Sequence, residues 1–522
     1  MKVALAQCPS WSLLSPPYNL ALLSACLKDK GHEVFCFDFN IDIYNYVVEK
    51  EGESGWGTKG ESNSWLDKDY VDAFVRRHSA YIDILVDKIL DTQAKVIGFS
   101  VVEPSRYFTE EVIGRIKKKD KDRIIVLGGN ACFKNSIGRG FFNNPNVDAL
   151  CFQEGEYAFF NFLKSIEDNL YPCSCPGFIC RNNADIIDGG ELPLIDDLNK
   201  IPFADFSGFD LGAYKERVLP ISTSRGCIFR CVFCSESVSW QKYRHRSAAN
   251  IFEEMSSQLN RHPSTRGFFF NDSLINGDIE MLDQLCTHLI DARVKIYWGG
   301  QAAIRKEMTP EFLKKMRSAG FAHVSYGLES ASETVLRKMN KRFDLSTAEE
   351  VIKNTHKSGI RTTVNVVVGF PGEGEKEVLE TAEFLKRNSA YLDDVYFHAL
   401  VLMPGSYIYN KREEFDIELP EINRISLWHT RDGKNDYHIR LGRIEFYRSV
   451  LKDKYSSNVS VFNYYLTLGD QHYAQGKLDE ALKCYLKAKG ETAGIDIAGL
   501  IAKKIAALEG ILAGRKNLLQ QG

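Results

Sequence analysis

Ser222-Thr223-Ser224-Arg225-Gly226-Cys227-Ile228-Phe229-Arg230-Cys231-Val232-Phe233-Cys234 follows directly on an apolar run, Val218–Ser222, of strand character. The three cysteines, spaced by four and three residues, can converge from one loop on one iron–sulfur cluster. A cubane cluster ordinarily takes four protein thiolates, one per iron. Three thiolates leave one iron open, by the logic that separates a catalytic zinc from a closed structural one. Gly226 lets the backbone turn tightly, and Arg225 and Arg230 place cations beside a cluster that carries negative charge. Two plainer alternatives stand beside this. A structural zinc would take a fourth ligand, with His245 the nearest histidine; or the three thiols are simply buried.

The loop heads a βα series. Strands are predicted at 218–222, 267–270, 295–298, 323–326, 362–368 and 395–400, with helices between them. Six such units define a partial βα barrel over residues 216–420, with its active site at the C-terminal ends of the strands. Residues 1–170 show a separate alternation, with strands at 3–8, 33–39, 96–101, 124–127 and 147–151, and helices including one over 71–90. This predicts a flavodoxin-like, doubly wound sheet whose ligands bind at the strand ends. The polar stretch 49–68 reads as an excursion from it. Residues 171–215 read as a linker holding a small hairpin around Asn182-Asn183. Residues 421–522 lack strand patterns and read as a helical tail. There Tyr465, Leu468, Gly469, Gly476, Ala481, Tyr485 and Ala488 have the spacing of one tetratricopeptide-like repeat. A lone repeat must pack on neighbouring elements, and it offers a surface for a protein partner.

The cysteine loop resembles the Cys-x-x-x-Cys-x-aromatic-Cys signature of the radical S-adenosylmethionine (radical SAM) superfamily. The resemblance implies a [4Fe–4S] cluster held by Cys227, Cys231 and Cys234. Its open iron is chelated by the methionine moiety of S-adenosylmethionine, which is cleaved reductively to a 5′-deoxyadenosyl radical. Phe233 would contact the adenine. Further segments resemble the family in the expected order. Asn271-Asp272 would hold the methionine amino group, with Asp272 the stronger candidate. Glu329-Ser330, in Gly327-Leu328-Glu329-Ser330, would face the ribose or methionine end. Gly369-Phe370-Pro371-Gly372-Glu373 would border the adenine, through Gly369 and Pro371. Trp298, Gln301, Tyr326, Asn365 and His398 are candidates to face the substrate.

The first domain resembles the cobalamin-binding domain fused to many such enzymes, through Ser15-Pro16-Pro17-Tyr18-Asn19-Leu20, Lys30-Gly31-His32-Glu33-Val34, Gly98-Phe99-Ser100, Gly128-Gly129 and Glu154-Gly155-Glu156. Its strand-end residues Ser10, Ser100, Val101, Glu103, Gly128, Gly129, Glu154 and Gly155 are then candidate cobalamin contacts. The Asp-x-His-x-x-Gly loop of better-known cobalamin carriers is missing. His32 falls in a helix–strand turn, where a structural role is expected. The corrin's lower face would then lack a histidine, and a residue of Pro9–Leu14 or Val101–Glu103 would pack near the cobalt. The alternative is a Rossmann-like domain that only orients the barrel. A second cysteine group, Cys173, Cys175 and Cys180, lacks a fourth nearby thiolate and reads as ordinary cysteines.

The resemblance implies a cobalamin-dependent methyltransferase acting on an unactivated carbon, served by a reductant such as flavodoxin or ferredoxin. Cyclisation or rearrangement without net methylation is the alternative, and a cluster-bearing scaffold is an alternative from another class. The substrate, whether small molecule, lipid or peptide, is not legible. Composition fits this picture: 44% hydrophobic, 26% charged and a net charge of −3 give no basic field for nucleic acid. No apolar run is long enough to span a membrane. The opening residues run straight into a strand pattern without a secretory signal. Thirteen scattered cysteines suit the reducing cytoplasm.

Overall fold

The computed structural model describes all residues except 53–60, 133, 135, 173, 184, 420–424, 452–454, 458–460, 491–500 and 514–522. Two compact units emerge, both α/β. The first comprises residues 1–196, 200–217 and 460–522; the second comprises 197–199 and 218–459.

The first unit is built on a seven-stranded sheet. Its strands are β1 (Lys2–Gln7), β2 (Glu33–Asp38), β3 (Val96–Ser100), β4 (Ile124–Gly128), β5 (Ala149–Cys151), β6 (Phe178–Asn182) and β7 (Asp185–Asp188), in the order β2-β1-β3-β4-β5-β6-β7. The first five are mutually parallel. Their near-continuous apolar runs follow from burial on both faces, with Val3, Ala4, Ile97, Ile125 and Leu150 fully buried. The hairpin expected in the linker extends this sheet, pairing antiparallel with β5 through Cys180 opposite Ala149. The single helix expected over 71–90 is two, Lys68–Arg77 and Ser79–Asp91, parted at buried His78.

The expected tail divides. Residues 437–451 form a helix of the second unit, followed by a strand at 455–457 that the reading of a strandless tail missed. The repeat-like segment belongs to the first unit as two helices, Val461–Ala474 and Leu478–Gly490. A Cβ at Gly469 would come within 2.5 Å of the Tyr485 ring, so the helices close through the small residue. Leu466, Ala481, Tyr485 and Ala488 share a core with Ile501 and Ile505, and Tyr70 packs against it.

The second unit contains β8 (Val218–Ile221), β9 (Ser224–Arg225), β10 (Arg244–His245), β11 (Gly267–Phe270), β12 (Tyr297–Ala302), β13 (Phe321–Glu329), β14 (Arg361–Val368), β15 (Asp394–Ala399), β16 (Ile417–Glu418), β17 (His429–Thr430) and β18 (Tyr455–Ser457). Strands β8, β11 to β15 and β18 form one all-parallel sheet in the order of the sequence. Several of the connecting helices are amphipathic and side-chain capped, as where Asp278 accepts from Met281 N and Thr309 from Phe312 N. The parallel arrangement puts every strand's C-terminus at one end, and the cysteine loop leaves from that end of β8.

Candidate active site

Two devices fix the cysteine loop. Strands β9 and β10 pair antiparallel, Arg225 opposite Arg244, and so close the ends of the loop. Between them Gly226 has φ +81°, and a Cβ there would lie 2.7 Å from Lys242 O; glycine is required. The second device is Asp272. Its buried carboxylate accepts from Thr223 N and Oγ1 at 3.0 and 2.9 Å, from Ser224 Oγ at 2.6 Å, and from Ser224 N. Burial pushes this carboxyl up, against the Ser224 and Thr223 donors that favour the ionised form. Asp272 thus ties the root of the loop to the end of β11, while its neighbour Asn271 is exposed. Removing Asp272 with Asp272→Ala orphans those donors and is expected to cost about 3–5 kcal/mol. A thermal melt of the cluster-free protein checks this, with iron retained per chain after reconstitution as the second readout.

The middle of the loop is held from elsewhere in the same unit. Val232 N donates to Met339 O at 3.1 Å, Ile408 N to Val232 O at 2.9 Å and Asn340 Nδ2 to Arg230 O at 2.7 Å. Cys227, Cys231 and Cys234 are partly buried free thiols. Burial raises all three, Cys234 to about 12, and Lys341 opposes the rise at Cys227 and Cys231. Among the described residues no three Cys, His, Asp or Glu side chains gather around a single ion. His245 faces Arg246 O and Asp278 instead, so the zinc alternative has no ligand set. A cubane assigns each cysteine its own iron and needs no such convergence. The donor set therefore fits a three-thiolate cluster. Of the two arginines expected beside it, Arg225 lies over the Trp240 ring at 5.3 Å and Arg230 reaches Gln241 O.

The cation beside the thiols is Lys341, which the sequence reading missed. Its ammonium donates to Gly327 O at 3.1 Å and Glu329 Oε1 at 3.0 Å and lies 5.9 Å from the Phe233 ring. Burial alone would lower it, but Glu329 and Cys231 outweigh burial and raise it. Glu329 ends β13 after a register shift between Gly327 and Glu329, and its φ is +66°. That is an uncommon conformation for a residue with a side chain, of the kind that gathers at functional sites. Ser330, by contrast, is turned inward: its hydroxyl pairs with Thr381 Oγ1 at 3.3 Å and accepts from Ser332 N.

The turn after β14 is built from within. Gly369 has φ +85°, and a Cβ there would lie 2.2 Å from Arg440 Cγ. Gly369 N donates to Glu373 Oε2 at 2.7 Å, and Asn435 Nδ2 donates to Gly369 O at 2.8 Å. Arg443 pairs with Glu373 at 3.0 Å. Arg440 is buried over Trp428 and donates to Ser426 O and Trp428 O. Pro371 is buried in the turn. Phe233 packs on the same apolar cluster as Phe370, Val335 and Met339, which brings the cysteine loop and this turn together.

One face of the sheet carries a polar row. Asn365 Nδ2 donates to Ser325 Oγ at 2.9 Å, His398 Nε2 meets Asn365 Oδ1 at 3.4 Å, and His323 Nε2 meets Thr363 Oγ1 at 3.2 Å. Burial lowers both imidazoles. Gln301 is exposed on the same face, beside Ser325. Two candidates point the other way. Trp298 Nε1 donates to Ala319 O and Tyr326 OH pairs with Thr355, both on the covering helices. They are packing residues.

In the first unit the candidate strand-end residues share the C-terminal end of the parallel strands. Ser10 is buried. Ser100 Oγ accepts from Asn19 Nδ2. Val101 is buried and bonded through its backbone to Gly128 O and Ala131 N, while Glu103 is exposed. Gly129 has φ +99°, with Val101 O 2.8 Å from where a Cβ would sit. Glu154 accepts from Ile195 N, and Gly155 opens the helix Gly155–Glu167. His32 lies before β2, at the other end of the strands, against the N-terminal amine. Cys173 lies outside the described residues; Cys175 and Cys180 are buried.

Residues 221–385 match the family model of the radical SAM superfamily, and this domain, with its three-cysteine loop, belongs to that superfamily. The chain accordingly carries a radical SAM domain, which implies a [4Fe–4S] cluster and S-adenosylmethionine. An uncharacterized methyltransferase of Pyrococcus horikoshii is 24% identical over 319 residues, 60% of this chain and 68% of its own. The anaerobic magnesium-protoporphyrin IX monomethyl ester cyclase of Cereibacter sphaeroides is 26% identical over 311 residues, 57% of this chain; the match spans only half of the cyclase's length. In fold, the chain is similar to the radical S-adenosylmethionine methyltransferase TsrM of Kitasatospora setae, solved with cobalamin and a [4Fe–4S] cluster bound. The TM-score is 0.65 at 15% identity, covering 93% of this chain and 99% of TsrM. No helix among the described residues is long and apolar enough to cross a membrane.

Proposed function

We propose that the chain is a cobalamin-dependent radical SAM methyltransferase acting on an unactivated carbon. The observation that carries this reading is the likeness of 93% of the chain to a fold solved with both cobalamin and a cluster, which takes in the first unit as well as the radical SAM domain. Bound to these residues, the cluster and S-adenosylmethionine supply one-electron cleavage chemistry, and cobalamin supplies a methyl carrier. Cys227, Cys231 and Cys234 hold the cluster. Lys341, an ammonium fixed against the loop, holds the methionine carboxylate, and the exposed Asn271 amide stands where the amino group is read to lie. Asp272 acts through the loop that it anchors. Glu329 orients Lys341 and borders the ribose, with Ser330 supporting it from behind. Phe233 and the Gly369–Pro371 turn form an apolar wall for the adenine. The polar row from His323 to His398 hydrogen-bonds the substrate with neutral imidazoles and fixes the attacked carbon, since orientation is the main contribution a protein makes to such a reaction.

The first unit's strand ends suit a corrin. Gly128 and Gly129 leave the end of β4 without side chains, and Ser100, opposite Gly128 at the end of β3, would offer its hydroxyl to the amide side chains of the macrocycle, with Ser10 in the loop after β1. A one-electron donor of the flavodoxin or ferredoxin kind would serve the cluster. The cyclase relative favours a second reading, ring closure without methylation. Product mass separates the two. Anaerobically reconstituted enzyme supplied with cobalamin, reductant and candidate substrates is expected to give a product heavier by one methylene. An unchanged or hydrogen-depleted mass would displace methylation in favour of cyclisation.

A further inference from the structure

We propose that Arg443 and Asn435 are positioning residues for S-adenosylmethionine, which act from beyond the radical SAM match by fixing the two polar groups of Gly369; this rests on the reading of the Gly369–Pro371 turn as the adenine wall. The family match ends at residue 385. Strand β14 ends at Val368, whose carbonyl still accepts from Leu400 N at 3.0 Å. Gly369 is the first residue past that support, and its N–H and C=O need partners from elsewhere. Both partners are side chains. The C=O accepts from Asn435 Nδ2 at 2.8 Å, and the N–H donates to Glu373 Oε2 at 2.7 Å. That same oxygen accepts from Arg443 Nη1 at 3.0 Å, so one carboxylate oxygen links the turn to the helix Tyr437–Leu451.

Glu373 does not hold this place unaided. It is buried, and burial pushes its carboxyl up to about 7, while Arg443 and Gly369 N favour the ionised form. Without Arg443 the carboxyl keeps its desolvation cost and loses its counter-ion, and its bond to Gly369 weakens with its charge. Asn435 is fixed in turn. Its backbone N donates to Thr430 Oγ1 at 3.1 Å, and its Oδ1 accepts from Arg440 Nη1 at 3.2 Å, so the amide presents Nδ2 to Gly369. Phe370, the next residue after Gly369, is fully buried in the apolar cluster against which Phe233 packs. A shift of the Gly369 peptide therefore moves the wall that the adenine is read to meet, whereas the cysteine loop has its own bonds to Asp272 and Asn340. Arg443 and Glu373 also line a cavity of about 900 Å³, walled by Val378, Leu379 and Phe446. Through it small molecules reach the ion pair.

The test uses full-length protein with its cluster reconstituted. Arg443→Ala is expected to raise the KM for S-adenosylmethionine in 5′-deoxyadenosine formation about tenfold, the worth of one charge-assisted hydrogen bond. It is expected to leave kcat at saturation and iron per chain within about twofold of the wild type. N-ethylguanidinium, admitted by the cavity, is expected to lower that KM again, and Arg443→Lys to avoid part of the rise. Asn435→Ala is expected to act in the same direction as Arg443→Ala. Lys434→Ala, on the same cavity but with a side chain 85% exposed, is expected to change none of these. A folded Arg443→Ala with wild-type KM would overturn the proposal. So would a raised KM that neither N-ethylguanidinium nor lysine lowers, or a loss of iron that accounts for the loss of activity. Should Arg443→Ala not fold, Asn435→Ala and Arg443→Lys decide by the same KM. Gly369→Ala tests the adenine reading separately, because its Cβ would lie 2.2 Å from Arg440 Cγ and the turn must move. Wild-type KM in Gly369→Ala would remove the adenine wall itself. A raised KM there, beside wild-type values in Arg443→Ala and Asn435→Ala, would remove only the two positioning residues.

Discussion

Replacing Cys227, Cys231 and Cys234 together with alanine is expected to abolish the iron–sulfur absorption of the reconstituted protein and to reduce 5′-deoxyadenosine formation to background, while the polypeptide still folds. The two effects separate because the loop does not depend on its thiols for its shape. Its root is bound to Asp272, its ends are joined by the pairing of β9 and β10, and its middle is bonded to Met339, Asn340 and Ile408. The partly buried thiols add little packing, so the thermal stability of the cluster-free variant is expected to fall by no more than about 1 kcal/mol. Each single alanine variant should lose most of the activity as well, since a cube held at two corners exposes a second iron to solvent. Iron and sulfide analysis, absorption spectra and quantification of 5′-deoxyadenosine check this. A triple variant that keeps its cluster, or that still cleaves S-adenosylmethionine, would overturn the ligand assignment.

The same loop explains why so much was legible in the sequence. Cysteine spacing is local, and it names a chemistry before any fold is known. Strand–helix alternation is periodic, and it yielded both parallel sheets with the strands near their observed positions. Lys341 was not legible because it lies more than a hundred residues from the cysteines, in a Met339-Asn340-Lys341 turn that resembles any helix end; only the return of that turn beneath Val232 brings it to the site. Asp272 was found, but for its place at the end of a strand. Its bonds to Thr223 and Ser224 are tertiary, and they make it an anchor of the loop. Trp298 and Tyr326 were misread because period-2 alternation gives two faces without saying which one the helices cover. Residues 437–457 fooled the reading of a purely helical tail, since a three-residue strand at a sheet edge leaves almost no pattern.

Lys341 offers the sharpest separation between holding the fold and holding the ligand. Lys341→Met keeps the length and apolar stem of the side chain but leaves Glu329 without its cation and Cys227 and Cys231 without the ammonium that opposes the rise of their thiols. Both members of the pair are partly screened, with side chains 14% and 12% exposed. The stability cost is therefore expected at about 1–2 kcal/mol, below that of a fully buried pair. Affinity for S-adenosylmethionine is expected to fall about 10- to 100-fold, the worth of a charge-assisted hydrogen bond to the methionine carboxylate. Lys341→Arg should recover part of that affinity, limited by the different reach of a planar guanidinium. The decisive comparison is the double variant Lys341→Met with Glu329→Gln. Removing the stranded carboxylate is expected to restore thermal stability, while the loss of affinity persists. If instead affinity returned along with stability, Lys341 would be only Glu329's counter-ion, and the carboxylate of the cofactor would have to be held by another residue, with exposed Asn271 the first to test.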